Sequence, residues 1–163
     1  MIRDASLALV IFALLGPVQA ITLVKDGQPA ATIIVSEAAL KSEPFKPARA
    51  SVGPAEPKIK LAALDLQSFL QKMSGAKLPI VSDAGDADGA LIFVGPSKMT
   101  QSVKGLAIPS GLTRERKEDG YVILCRGNTL ILAGNDAGPY HGTHYAVAEF
   151  LNRLGVRWIG RVR

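Results

Sequence analysis

The sequence predicts an α+β fold, a two-layer α/β sandwich in which two or three helices pack on a small mixed sheet. Three observations carry that prediction. Leu91-Ile92-Phe93-Val94 is a wholly apolar run of strand length, the pattern of a strand covered on both faces. GYVILCRGNTLILAG (120–134) holds two strands around Gly127-Asn128, a pair that accepts positive φ and suits a two-residue hairpin turn. Two segments, 58–74 and 139–154, carry apolar residues at helical spacing. Strands and helices mixed in this way along one short chain bury a single modest core between two layers.

Residues 1–20 read as a signal peptide. Arg3 supplies the positive start, Leu7 to Leu15 (LALVIFALL) the apolar centre, and Val18-Gln19-Ala20 the small residues that a signal peptidase reads. A membrane anchor is the competing reading, but the apolar run is about half the length of a spanning helix. Cleavage after Ala20 gives a mature chain of residues 21–163, exported to the periplasm or beyond, with no membrane partner after cleavage. The mature start then predicts a hairpin. ITLV (21–24) and ATIIVS (31–36) are rich in β-branched residues, with Asp26-Gly27 and Pro29 to turn the chain between them. Pro44, Pro47, Pro54 and Pro57 mark 41–57 as a surface loop.

In the first helix, 58–74, Ala62, Leu66, Phe69, Leu70 and Met73 share one face, and Gly75 is the stop. Pro79 admits a short strand at Ile80-Val81. Gly95-Pro96-Ser97 turns the apolar strand into a short helix, and 105–119, with the charge cluster RERKED, reads as a solvated loop. Leu130-Ile131-Leu132-Ala133 has no polar alternation, so both of its faces are expected to be covered. In the last helix, 139–154, Pro139 suits the first helical position, and Thr143, Ala146, Val147, Phe150, Leu151 and Leu154 form the buried stripe. Gly155 ends it, and Val156-Arg157-Trp158-Ile159 is expected to begin a strand.

The formal charge is +5, and loss of the leader leaves it there because Arg3 and Asp4 cancel. The excess is spread over Lys41 to Lys60 and over Arg153, Arg157, Arg161 and Arg163, without the aromatic-laced stripe of a nucleic-acid reader, so no nucleic-acid partner is expected. Cys125 is the single cysteine. In an apolar strand it reads as a small buried hydrophobe.

No stretch carries catalytic chemistry on its own. His141-Gly-Thr-His144 has two histidines three apart but lacks the His-Glu-x-x-His glutamate and a third ligand, so no metal is expected. Asp83 to Gly89 has the wrong spacing for a calcium loop, with Gly95 where the twelfth-position glutamate belongs. Gly134-Asn-Asp-Ala-Gly138 lies between strand and helix like a phosphate loop but has neither nucleotide-binding glycine pattern, so its glycines read as a tight turn and no cofactor is expected. Asp65, Asp136 and Glu149 fit helix faces or starts rather than a facing pair of glycosidase carboxylates.

Four stretches together carry a resemblance: LQSFLQKMSGAKLPIV (66–81), IFVGPSKMT (92–100), DGYVILCRGNTLILAGND (119–136) and YHGTHYAVAEFLNRLGVRWIG (140–160). Across nearly all of 21–160 the chain resembles the N-terminal domain of bacterial α-glucuronidases and related exported glycoside-hydrolase-like proteins. That domain is itself similar to the second domain of β-N-acetylhexosaminidases. The resemblance implies helices on one face of the sheet, in a topology grouped with zincin-like folds but without a metal. It places sugar chemistry on a following catalytic (β/α)-barrel, which takes about 250 residues, so no catalytic residue carries over. It also implies that Gly155 to Trp158 leads towards that barrel, and that residues 161–163 replace the expected continuation like a truncated start.

The expected function is therefore a non-catalytic accessory domain of an exported polysaccharide-degrading enzyme, bracing its barrel. One alternative is a stand-alone glycan-binding module; the other is a decayed remnant with exposed apolar surface. Tyr140, His141, Tyr145 and Trp158 are the candidate glycan or domain-interface contacts.

Overall fold

The structure, a computed structural model, describes residues 20–45, 52–83, 85–112 and 119–158. The signal-peptide residues 1–19, most of the RERKED cluster and residues 159–163 lie outside the described residues. Strands β1 (Val24–Lys25) and β2 (Gln28–Pro29) form a small ribbon. There follow β3 (Ala31–Val35), α1 (Glu37–Lys41), α2 (Ala55–Ser74), β4 (Ile80–Ser82), β5 (Ala90–Val94), α3 (Lys98–Gln101), β6 (Tyr121–Arg126), β7 (Thr129–Gly134) and α4 (Gly142–Arg153).

Five strands make one mixed sheet in the order β4-β3-β5-β7-β6. The first four run parallel, with Ile33 beside Ile80 and Ile92, and Ile92 beside Leu130. Only β6 runs antiparallel, at the edge, where the Gly127-Asn128 turn returns the chain and sets Ile123 beside Leu132. Within that pair only Gly127 takes a positive φ, 58°.

Side chains alternate across the pleat, so successive residues enter different layers. Ile33, Val35, Ile92, Val94, Leu130 and Leu132 pack with Ala39 of α1, with Ile59, Ala62, Ala63, Leu66 and Leu70 of α2, and with Ala146, Val147, Phe150 and Leu151 of α4. On the opposite face Ile34, Phe93, Ile131 and Ala133 pack under Val103, Leu106 and Ile108, which follow α3. The expected α+β sandwich is the observed architecture. What covers the second face of β7 is this chain's own 103–108 segment.

Local chemistry explains the helix limits. Pro57 lies in the first turn of α2, where its missing N–H costs nothing, and Gly75 closes the helix at φ 77° with its N–H on the Gln71 carbonyl. Ser97 caps α3 through a reciprocal box with Thr100.

Several expectations are corrected. ATIIV is not the second arm of an N-terminal hairpin but the buried strand β3, paired in parallel on both sides; its unbroken apolar character suits a central strand. The Asp26-Gly27 turn, with both residues at positive φ, closes only the β1–β2 ribbon. The expected loop 41–57 is shorter: α1 (Glu37–Lys41), capped by Ser36, takes its first residue, and α2 takes its last three from Ala55 to Pro57. Met73, near the end of α2, and Leu154, the C-cap of α4, are both exposed rather than part of the buried faces. Cys125 is exposed near the end of the edge strand rather than buried. The last helix starts at Gly142, three residues after Pro139, and Val156 to Trp158 do not form a strand. Instead the Val156 N–H returns to the Leu151 carbonyl, and Arg157 Nη1 donates to Asn152 O and Oδ1 at 3.0 and 2.9 Å, finishing α4.

Candidate functional site

The residues with the most chemistry gather around the two ends of α4. At its N-terminus the chain leaves β7 through Gly134-Asn135-Asp136. A Cβ on Gly134 would lie 2.4 Å from the Gly142 backbone and 2.7 Å from the Gly120 carbonyl, and one on Gly142 would lie 2.3 Å from Asn135 N. The two glycines are therefore required by close backbone approach. Through that gap the Asn135 N–H donates to Gly120 O and the Gly142 N–H to Asn135 O, both at 2.8 Å. The Asp136 carboxylate accepts from the Thr143 N–H at 3.1 Å and from its hydroxyl at 2.5 Å, satisfying donors of the first helical turn. This cap explains why α4 begins after Pro139.

Beneath the turn sits Lys58, 1% exposed. Its ammonium donates to the carbonyls of Asp136 (3.1 Å), Gly138 (2.5 Å) and Tyr140 (3.0 Å). Three acceptors use all three N–H bonds, which is how a buried ammonium is tolerated. Burial holds the Lys58 pKa below the usual lysine range, while Asp136 and Asp119 oppose that shift. Burial pushes the Asp136 carboxyl up to about 6, against the Thr143 hydrogen bonds and the Lys58 charge. His141 is pushed down by burial and by Lys58, with Asp119 opposing. Its N–H donates to Asp119 Oδ1 at 2.6 Å, and its ring packs edge-on against Phe45 at 5.3 Å.

The other region is an open groove along the outer side of α4. Tyr121, Tyr145, Ala148, Glu149, Asn152, Arg157 and Trp158 line a depression of about 370 Å³. It continues past Tyr121 and Tyr145 to Asp119 and Gly120. Three of its residues are large exposed aromatics: Tyr121 (43%), Tyr145 (51%) and Trp158 (53%). Trp158 is fixed on its inner side by an edge-on contact with Phe69 at 5.0 Å. Glu149 accepts from Arg153 Nε at 2.8 Å, an ion pair that holds its carboxyl below the usual range.

Of the four sequence candidates, the structure brings Tyr145 and Trp158 together in the groove. Tyr140 and His141 belong to the turn before α4, where Tyr140 serves Lys58 through its carbonyl and His141 backs onto the groove through Asp119. Tyr121, Asn152 and Arg157 complete the groove and escaped the sequence reading, as did Lys58. Lys58 carried a signal, since it stands four residues before Ala62 on the apolar face of its helix. Tyr121 did not, because its place depends on β6 being the sheet edge.

His144 Nε2 lies 2.8 Å from Asp65 Oδ2, a hydrogen bond that joins α4 to α2. Among the described residues no group of three or more His, Cys, Asp or Glu could hold a metal ion. Nor is any described helix long and apolar enough to cross a membrane. Set against known protein-family models and against curated proteins, the chain matches none.

Proposed function

We propose that this chain is an exported, non-catalytic accessory domain of an α-glucuronidase-like glycoside hydrolase, which presents the α4 groove to a catalytic barrel. The observation that carries the reading is the contrast in how carboxylates and aromatics are used. Asp65, Asp119, Asp136 and Glu149 are engaged by His144, the His141 N–H, Thr143 and Arg153 respectively. The two that line the groove, Glu149 and Asp119, are held by Arg153 and by the His141 N–H, whereas sugar hydrolysis requires a facing pair free to act as acid and base. Three large aromatics, by contrast, stand exposed along one groove, the composition of a contact surface. The leader and the four resembling stretches supply the export and the enzyme class.

The test is hydrolysis of aldouronic acids and chitin fragments by the purified chain, which is expected to be absent. Turnover that disappears in Asp65→Asn, Asp136→Asn or Glu149→Gln would overturn the proposal. A second reading, a glycan-binding module, is favoured by one feature: Tyr121, Tyr145 and Trp158 surround the polar Glu149, Asn152 and Arg157, pairing ring platforms with hydrogen-bonding groups. Retention on insoluble xylan or chitin that is lost in Trp158→Ala would favour it over barrel docking.

A further inference from the structure

The connections of the sheet part at one place. From β3 the chain crosses through α1 and α2 to β4, on the helical face. From β5 it leaves through α3 and the 103–108 segment on the opposite face, and goes on by way of β6 to β7 on the other side of β5. The connections that leave β3 and β5 thus run to opposite sides of the sheet and over opposite faces, and the chain diverges beyond the carboxyl ends of these two neighbouring strands. In open parallel sheets this switch point is where ligands bind.

The crevice is present. Ser36, Glu37 and Ala38 after β3, Asp83 after β4, and Pro96, Ser97, Lys98, Met99 and Gln101 after β5 enclose about 700 Å³. That volume falls inside the roughly 300–1,000 Å³ of small-molecule sites. Both walls are pre-formed. Ser36 Oγ accepts from the Ala39 N–H at 3.3 Å, Ser97 and Thr100 close their box, and the Glu37 N–H donates to Asp83 Oδ1 at 3.2 Å, tying the β4 end to α1. With helices of only five and four residues on its walls, the crevice offers side chains rather than a helix dipole.

Those side chains state the ligand class. The lining carries Glu37, Asp83 and Lys98; Glu37 is already paired at 2.5 Å with Lys41, which lies outside the lining, so Asp83 and Lys98 remain as one charge of each sign. Lys98 lies within electrostatic reach of Glu37. A balanced site gives no net attraction to phosphate or to an amine, yet gathers carboxylate acceptors with the ammonium of Lys98 and the amide of Gln101 in one lining. Met99, half exposed, and Pro96 add an apolar patch. Acceptors and donors in balance beside an apolar patch suit a neutral polyhydroxylated ring, whose hydroxyls both donate and accept and whose C–H face is apolar. We infer that the switch-point crevice between β3 and β5 is a binding site for a neutral sugar residue, separate from the aromatic groove and independent of the accessory-domain reading.

The test is an amide-resolved NMR titration of the ¹⁵N-labelled chain with D-xylose, D-glucose, N-acetylglucosamine and xylotriose, and separately with inorganic phosphate. The expected result is saturable shifts at Glu37, Ala38, Lys98, Met99 and Gln101 with at least one sugar, at dissociation constants of about 1 mM. Asp83→Asn and Lys98→Ala, both at solvent-accessible positions, are expected to keep the spectrum of the folded protein and to weaken binding about tenfold each. Silence at these amides with every sugar, a response to phosphate alone, or unchanged affinity in both variants would overturn the site. Shifts confined to Tyr145, Asn152 and Trp158 would also overturn it, while favouring glycan binding at the groove; the hydrolysis assay is unaffected by either outcome.

Discussion

The start of α4 and its outer side place their chemistry-bearing residues in opposite ways. At the N-terminal end Lys58, Asp136 and Thr143 are buried and hydrogen-bonded to their own chain. Along the outer side, Tyr121, Tyr145 and Trp158 are exposed around a groove whose polar residues lie at its surface. The first arrangement fixes where the helix starts and how it leaves the sheet. The second does little for the fold, since large aromatics left half in water forgo much of their burial free energy. The buried residues therefore serve the fold, and those along the outer side are the ones whose surface the fold leaves free.

The strongest way to break this comparison is at Gly142. An added Cβ would meet Asn135 N at 2.3 Å and the Gly120 carbonyl at 2.5 Å, backbone atoms that cannot rotate away. Gly142→Ala should cost about 3 kcal/mol or more, read by denaturant unfolding; a loss near zero would mean that the crossing of the two backbones is not tight. Next is Lys58→Met, which keeps the aliphatic volume but strips three carbonyls and the Asp136 carboxylate of their cation. Unpaired buried groups make this a loss of about 3 kcal/mol.

A pH experiment separates the two charges of this end. The folded pKa of Asp136, about 6, lies above its ordinary 3.8, so the fold prefers the protonated acid. Its stabilising contribution is complete below pH 3.8 and is lost as pH rises through about 6. His141, held below its ordinary 6.5, works the other way: its contribution is present above 6.5 and is lost as pH falls through its depressed folded pKa. The difference between wild type and Asp136→Asn isolates the first effect and should change by roughly 3 kcal/mol across that window. A flat difference would show that the carboxylate is as well solvated in the fold as in the unfolded chain.

Much of this architecture is legible in the sequence, for reasons that are local. β5 and β7 announce themselves because a strand covered on both faces needs no polar residue, and the stripe from Thr143 to Leu151 because helical spacing selects it. What escapes depends on distant contacts. The partners of β3 are β4 and β5, more than forty residues downstream, so ATIIV reads equally well as a hairpin arm. The start of α4 depends on a carboxylate cap and a glycine crossing against Gly120, which Pro139 alone does not reveal. Lys58 meets its acceptors 78 to 82 positions away. Cys125 stands exposed because β6 is the edge strand, a property of sheet order and not of its neighbours in sequence. At the candidate site, the aromatic types at 145 and 158 were visible, but their convergence with Tyr121 was not.

The smallest expected effects sharpen the comparison from the exposed side. Trp158→Ala removes one edge-on contact with Phe69 from a side chain that is 53% exposed, and should cost about 1 kcal/mol. Tyr145→Ser changes a residue that is 51% exposed on the outer side of α4 and should lie within about 0.5 kcal/mol of wild type. Measured together with Lys58→Met under the same denaturant conditions, the pair should leave unfolding cooperative and the midpoint nearly unmoved while removing whatever the groove binds. If Tyr145→Ser instead destabilised the chain as much as Lys58→Met, the aromatic groove would be part of the structural core, and its residues would lose their claim to be a contact surface. A small effect on folding joined to a large effect on docking or glycan retention is the pattern that a functional surface requires, because only there is the energy of the side chain withheld from the fold and left for a partner.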